Sequence, residues 1–116
     1  MRVTGGSARG RALTVPSGTR PMTARMREAL FVILDHALGR VPGRIGGGLQ
    51  GRSFLDLFAG SGLISAEAAS RGAGPITAVE RDPRKRRSIL SNLTTVGVEA
   101  TVIIAPVERF VASAGR

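Results

Sequence analysis

The sequence predicts an α/β fold, a parallel sheet crossed by helices, and three observations carry the prediction. Residues 54–62, Phe-Leu-Asp-Leu-Phe-Ala-Gly-Ser-Gly, read as a buried strand that ends in an acid and a tight glycine turn. From Ser53 onward the pattern alternates strand, helix, strand, helix, strand. Composition is 42% hydrophobic but only 3% aromatic, which supports an aliphatic core in one small domain of 116 residues. Such alternation implies parallel strands with right-handed crossovers. Residues 53–116 are therefore expected to form a parallel α/β sheet.

The elements follow in order. Residues 1–22 are rich in Gly, Arg and Pro and form a basic arm. Segments 3–6 and 11–15 read as short strands of a hairpin joined at Ser7-Ala8-Arg9-Gly10. With little apolar surface, the arm should dock on the rest of the chain or on a partner. Thr23 is an N-cap for a helix over 23–38. Met26, Leu30, Ile33, Leu34, Ala37 and Leu38 recur in it at helical spacing, and Gly39 stops it. Residues 39–52 form a Gly-rich connector without the Gly-Lys-Ser/Thr ending of a nucleotide P-loop. The first strand is expected over 53–57 and a helix over 62–71. A second strand runs over 76–79 with Glu80 at its tip. Asp82 then caps a helix with Pro83 at its first position. Ile89, Leu90 and Leu93 give that helix an apolar face, and Gly97 closes it. A third strand spans 100–104.

Charge is unevenly placed. The net is +9, of which residues 1–52 hold +7 and residues 53–116 hold +2. A basic N-terminal region points to a polyanionic partner, set against a general preference for Arg, since 16 of the 17 basic residues are Arg. The chain has no Cys and one His, His36, which reads as a helix-surface residue. Disulfides and thiolate metal sites are excluded, and no metal is expected. No apolar run reaches membrane-spanning length, and the N-terminus lacks the apolar core of a signal peptide. A cytoplasmic, monomeric protein without membrane contact is the expectation.

Ligand chemistry should gather at the C-terminal ends of the strands. Gly60 can take backbone angles closed to other residues, and Gly62 is expected to let a ligand approach the backbone. Asp56 precedes the turn, where a pyrophosphate would be repelled and an ammonium group welcomed. Glu80, 18 residues after Gly62, can accept hydrogen bonds from ribose hydroxyls. S-adenosylmethionine carries both groups. Asp56, Phe58, Ala59, Gly60, Ser61, Gly62 and Glu80 are thus the candidate cofactor residues. Gly60-Ser61-Gly62 also begins a dinucleotide fingerprint, but Ser65 stands at its third Gly or Ala position. Arg84-Lys85-Arg86-Arg87 opposes the dipole of the helix it begins. A solvated face is its simplest reading, contact with RNA the other.

Three stretches resemble one family. They are residues 2–11, Arg-Val-Thr-Gly-Gly-Ser-Ala-Arg-Gly-Arg; residues 20–31, Arg-Pro-Met-Thr-Ala-Arg-Met-Arg-Glu-Ala-Leu-Phe; and Leu55-Asp56-Leu57-Phe58-Ala59-Gly60-Ser61-Gly62 on through Glu67-Ala68-Ala69-Ser70-Arg71-Gly72-Ala73 to Val79-Glu80. Asn92-Leu93 and Gly97 also fit. The chain resembles the RsmD family of bacterial 16S rRNA guanine-N2 methyltransferases along nearly its whole length, the 39–52 connector apart. That likeness implies that residues 53–116 form the first half of a Rossmann-like, class I S-adenosylmethionine-dependent methyltransferase sheet, and it implies methyl transfer to the exocyclic amine of a guanine in small-subunit rRNA. Asp56 and Gly60 would hold the methionine end of the cofactor and Glu80 the ribose. The 20–27 segment would lie near the methionine end and the substrate mouth. Arg2, Arg9, Arg11, Arg20, Arg25 and Arg27 would contact RNA phosphates in the 16S rRNA, the small subunit or its assembly intermediate.

The sequence departs from the family pattern in specific places. Met22 replaces the usual Thr, Ala24 the usual Asp, and Pro106 the Asp expected beside the adenine. The family's (Asn/Asp)-Pro-Pro-(Tyr/Phe) motif, which grips the target amine, does not occur, and no catalytic residue is assigned. Phe31, Phe54 and Phe58 read as core. Residues 1–116 are expected to be a truncated or degenerate cofactor-binding portion, inactive alone. A non-catalytic RNA-binding or ribosome-assembly module, and a nicotinamide-dependent oxidoreductase, are the other classes left open.

Overall fold

The computed structural model describes residues 1–18, 20–39 and 47–114. Its centre is a three-stranded parallel sheet in the order β1 (Phe54–Asp56), β2 (Ile76–Glu80), β3 (Ala100–Ile104). Phe54 pairs with Ile76 and Asp56 with Ala78; Ile76 pairs with Ala100 and Glu80 with Ile104. Helix α2 (Leu63–Ser70) crosses from β1 to β2, and α3 (Arg86–Thr95) from β2 to β3. The parallel sheet expected from the alternation, and the partial Rossmann-like fold implied by the resemblance, are therefore present. β1 is shorter than anticipated, since Ser53 and Leu57 fall outside the ladder. The turn at Pro83–Lys85 is 3-10 before α3 begins, with the Asp82 side chain accepting from the Arg84 amide. A helix not foreseen in the sequence, α4 (Val107–Ala114), follows β3.

Helix α1 (Ala24–Leu38) starts where the Thr23 side chain accepts the Met26 amide and stops at Gly39, whose φ is 67°. Its buried face corrects the apolar pattern. Met26 and Ile33 are 58% and 66% exposed, whereas Arg27 and Phe31 are fully buried. The helix is turned so that the Arg27 guanidinium meets Glu67 of α2, and Phe31 packs beside Phe54. Once Arg27 is buried it needs this partner, because a buried charge left unpaired costs several kcal/mol.

The arm docks on the domain, but not as two strands. One antiparallel bridge, Arg2 with Ala12, joins its halves. Val3, Ala8 and Leu13 enter the same core as Leu63, Ala66, Ile76, Ala78, Ile89 and Leu93. Polar bonds fix the docking. The Ser70 hydroxyl accepts from the Ala8 amide at 2.9 Å and donates to the Gly5 carbonyl at 2.6 Å. Asn92 joins three segments: it accepts from the Thr14 amide and donates to the Thr14 and Ser61 carbonyls. With the arm above and the sheet below, α2 is buried nearly all round, which suits its small-residue sequence Leu-Ile-Ser-Ala-Glu-Ala-Ala-Ser. Of the 39–52 connector, residues 40–46 lie outside the described residues. Its end is tied back by Arg52, which donates to the Gly48 and Leu38 carbonyls. Among the described residues no helix is long and apolar enough to cross a membrane.

Candidate cofactor site

The parallel register brings two carboxylates to neighbouring strand tips. Asp56 ends β1, and Glu80 ends β2 two positions beyond Asp56's partner. Between them runs the turn Phe58 to Gly62. The Ala59 amide donates to the Val79 carbonyl at 2.9 Å, so the turn stays attached to β2. Gly60 and Gly62 have φ of 57° and 85°, in the left-handed region that favours glycine.

Each carboxylate has defined partners. Glu80 is buried and accepts the Gly60 amide at 2.9 Å on one oxygen and the Asp82 amide at 2.8 Å on the other. Those bonds fix its orientation and still leave lone pairs for further donors. Asp56 accepts the Ser65 hydroxyl at 2.8 Å and the Phe58 amide at 3.3 Å. Burial pushes the Asp56 carboxyl above the ordinary aspartate value, the Ser65 and Phe58 bonds pull it back, and the Glu80 charge pushes it up again. Ser65, where a dinucleotide fingerprint would put a small residue, thus serves the carboxylate.

A cavity of about 720 Å³ opens beside the two tips, within the size range of small-molecule sites. Leu57, Phe58 and Glu80 form one side. Arg81, Asp82 and Lys85 follow β2, and Pro106, Val107 and Glu108 follow β3. Of the seven candidate cofactor residues, Phe58 and Glu80 line it. Asp56 and Gly60 lie at the adjoining tip, and the space a Gly60 side chain would enter is open. Ala59 and Ser61 are buried builders of the turn.

Two readings are corrected here. Phe58 is not core but 79% exposed, because it is past the end of the ladder. Gly62 does not admit a ligand; a Cβ there would lie 3.1 Å from Ile89 Cα, so it admits α3 instead. The residues after β2 and β3 were missed, Pro106 apart, although their position past strand ends is itself the signal.

The arginines proposed for RNA contact separate into two groups. Arg2, Arg9, Arg11, Arg20 and Arg25 are exposed. Arg2 donates to the Gly10 carbonyl and Arg11 to the Thr95 carbonyl, which hold these side chains along the arm and α3. Arg27 is withdrawn from the set. It is buried, pairs with Glu67 at 2.9 Å and donates to the Arg2 carbonyl. Glu67 accepts four donors: the Thr4 and Gly5 amides, Arg27 and Arg71. Burial raises its carboxyl, but the Thr4 amide and the two arginines outweigh burial and hold it below the ordinary glutamate value.

Similarity to known proteins agrees with this geometry. A family profile described as Conserved hypothetical protein 95 matches residues 1–115. Ribosomal RNA small subunit methyltransferase D of Escherichia coli is 36% identical over 123 residues, covering 99% of this chain and 54% of that protein. A hypothetical protein of Thermus thermophilus superposes with TM-score 0.81 at 41% identity, over 98% of this chain and 60% of its own. For yhhF of Escherichia coli the TM-score is 0.75 at 34% identity, over 97% and 56%. The chain thus spans about half the length of the curated relatives it matches. Fold and kinship together support S-adenosylmethionine as the cofactor. The chain belongs to the conserved hypothetical protein 95 family, and with it to the RsmD-like methyltransferases.

Proposed function

We propose that this chain supplies the cofactor-binding part of a methyltransferase acting on the exocyclic N2 of a guanine in 16S rRNA, in the cytoplasm. One observation carries the reading: Asp56 and Glu80 stand at adjacent strand tips on either side of the Gly60 turn, beside a cavity of about 720 Å³. Their chemistry fits S-adenosylmethionine. Asp56 suits the ammonium of the methionine end, and Glu80, held by two amides, suits the ribose hydroxyls. A pyrophosphate would face two carboxylates, which disfavours the nicotinamide reading.

Bound there, S-adenosylmethionine supplies an electrophilic methyl group on a sulfonium. The chain's own contribution is position: Gly60 leaves room at the turn, Glu80 fixes one end and Asp56 the other. The target base must leave its stack, which looped or single-stranded RNA makes cheaper. The exposed arm arginines suit that partner through phosphates. Because no (Asn/Asp)-Pro-Pro-(Tyr/Phe) segment occurs in residues 1–116, these residues are expected to bind cofactor without turnover.

Calorimetry tests the cofactor reading. S-adenosylmethionine or its demethylated product should bind in preference to NAD, and Glu80→Ala should weaken that binding at least tenfold. Equal or tighter NAD binding would overturn it. Labelled-methyl transfer to immature small subunits tests the rest. Turnover by residues 1–116 would show that another group here holds the amine. RNA binding without any cofactor affinity would instead favour a non-catalytic RNA-binding module.

A further inference from the structure

Helix α3 opens with four cations, and the structure gives them a place to act. Arg84, Lys85, Arg86 and Arg87 occupy the 3-10 turn and the first turn of α3, neither of which contains an acidic residue. Positive charge at a helix N-terminus is unfavourable, so the fold tolerates this run against local electrostatics. Arg84 is tied to Asp82 at 3.0 Å in an exposed pair. Among the described residues, Arg86 and Arg87 have no such acidic partner.

Shape and placement add to the charge. Arg84, Arg86 and Arg87 flank an open trough of about 670 Å³, with Leu90 and Thr94 along it. Leu90 is 42% exposed, while the opposite face of α3 is anchored by the buried Ile89, Asn92 and Leu93. The trough is therefore carried on a fixed helix. Lys85, between Arg84 and Arg86 in sequence, lines the cofactor cavity, so the two hollows adjoin at the start of α3.

We propose that the outer face of α3 is a second RNA-contacting surface, taking a single-stranded stretch of the substrate RNA that leads away from the cofactor cavity. Arg86 and Arg87 bind phosphates, and an unstacked base lies over Leu90 beside a guanidinium plane. The apolar part of the trough is Pro83 and Leu90, a patch the size of one base and far short of the broad apolar face by which a helix lies on a membrane. This inference rests on the RNA reading given above.

Its test is the salt dependence of binding to a fluorescein-labelled RNA stem-loop with a single-stranded flank, using the whole chain. Each phosphate contact on a single strand contributes about 0.7 to the slope of log affinity against log salt. Arg86→Gln with Arg87→Gln should lower that slope by about 1.4. Arg86→Lys with Arg87→Lys should keep it. Photocrosslinking of 4-thiouridine placed in the flank should recover the peptide that contains Leu90. RNA binding by the parent chain with an unchanged slope in the Gln variant would overturn the α3 surface and leave the RNA reading intact. No RNA binding by the parent chain would remove both, with cofactor affinity still measurable separately. Equal binding to phosphatidylglycerol vesicles, lost in the same variant, would reassign the surface to membrane and overturn the proposal.

Discussion

At the scale of single residues, two carboxylates, one half-buried and one buried, have opposite pH signatures. Asp56 is raised above its ordinary value, mainly by burial. Only its ionised form attracts an ammonium, so cofactor affinity should rise as pH rises through that raised value. Asp56→Asn should weaken binding and flatten the rise; a pH series of calorimetric titrations reads both. Glu67 is the reverse case. Its folded value is lowered despite burial, so its stabilisation is full above the ordinary glutamate range and is lost as pH falls through the lowered value. Glu67→Gln leaves Arg27 buried opposite a neutral amide, which should cost about 3–5 kcal/mol. Urea melts at neutral and acid pH should show the variant's deficit shrinking as pH falls. A constant deficit would mean that Glu67 acts through packing alone.

Among the elements, the arm shows how local backbone decides docking. Gly6 has φ of 81°, and a Cβ there would lie 1.9 Å from the Ser70 carbonyl oxygen. Gly10 has φ of 87° with open space around it. Alanine at either site carries backbone strain of about 1–3 kcal/mol. Only Gly6→Ala must also push the arm off α2. Its urea midpoint should therefore fall well below that of Gly10→Ala, and equal midpoints would show that strain alone matters. Helix α1 and the glycine turn mark where the sequence stopped being legible. Thr23, Gly39 and the Ala100–Ile104 strand follow from local rules of capping, positive φ and β-branching, so they could be read directly. The orientation of α1 could not, because Arg27 is buried for the sake of Glu67, 40 residues away. Nor could the use of Gly62, since only the packing of α3 shows which neighbour the missing side chain admits. At the candidate site, the placement of Asp56 and Glu80 at strand tips was legible because each closes an apolar run of strand length. Phe58 was misread as core because hydrophobicity alone does not show where a three-residue strand ends.

Over the whole molecule, charge and burial divide the labour. Buried polar bonds around Glu67, Ser70 and Asn92 hold the arm, α2 and the glycine turn in one unit, while most arm arginines stay at the surface. Among the described residues, Arg27 is fully buried and Arg71 is largely withdrawn beside it on Glu67, while the other arm and helix arginines named above face outward. If the basic excess serves RNA, its energy is largely counterion release, and affinity must fall steeply with salt. Arg9 and Arg11 flank Gly10 at the exposed tip of the arm. Replacing both with Gln should flatten the salt dependence without lowering stability by more than about 1 kcal/mol, because exposed polar contacts such as Arg11 to Thr95 add little. Cofactor affinity should stay unchanged, since neither residue approaches the strand tips. Fluorescence anisotropy across a salt series, with calorimetry alongside, separates the outcomes. A flattened slope with intact cofactor binding assigns the arm to RNA. An unchanged slope would show that its arginines reflect composition, and that the polyanion is held elsewhere on the molecule.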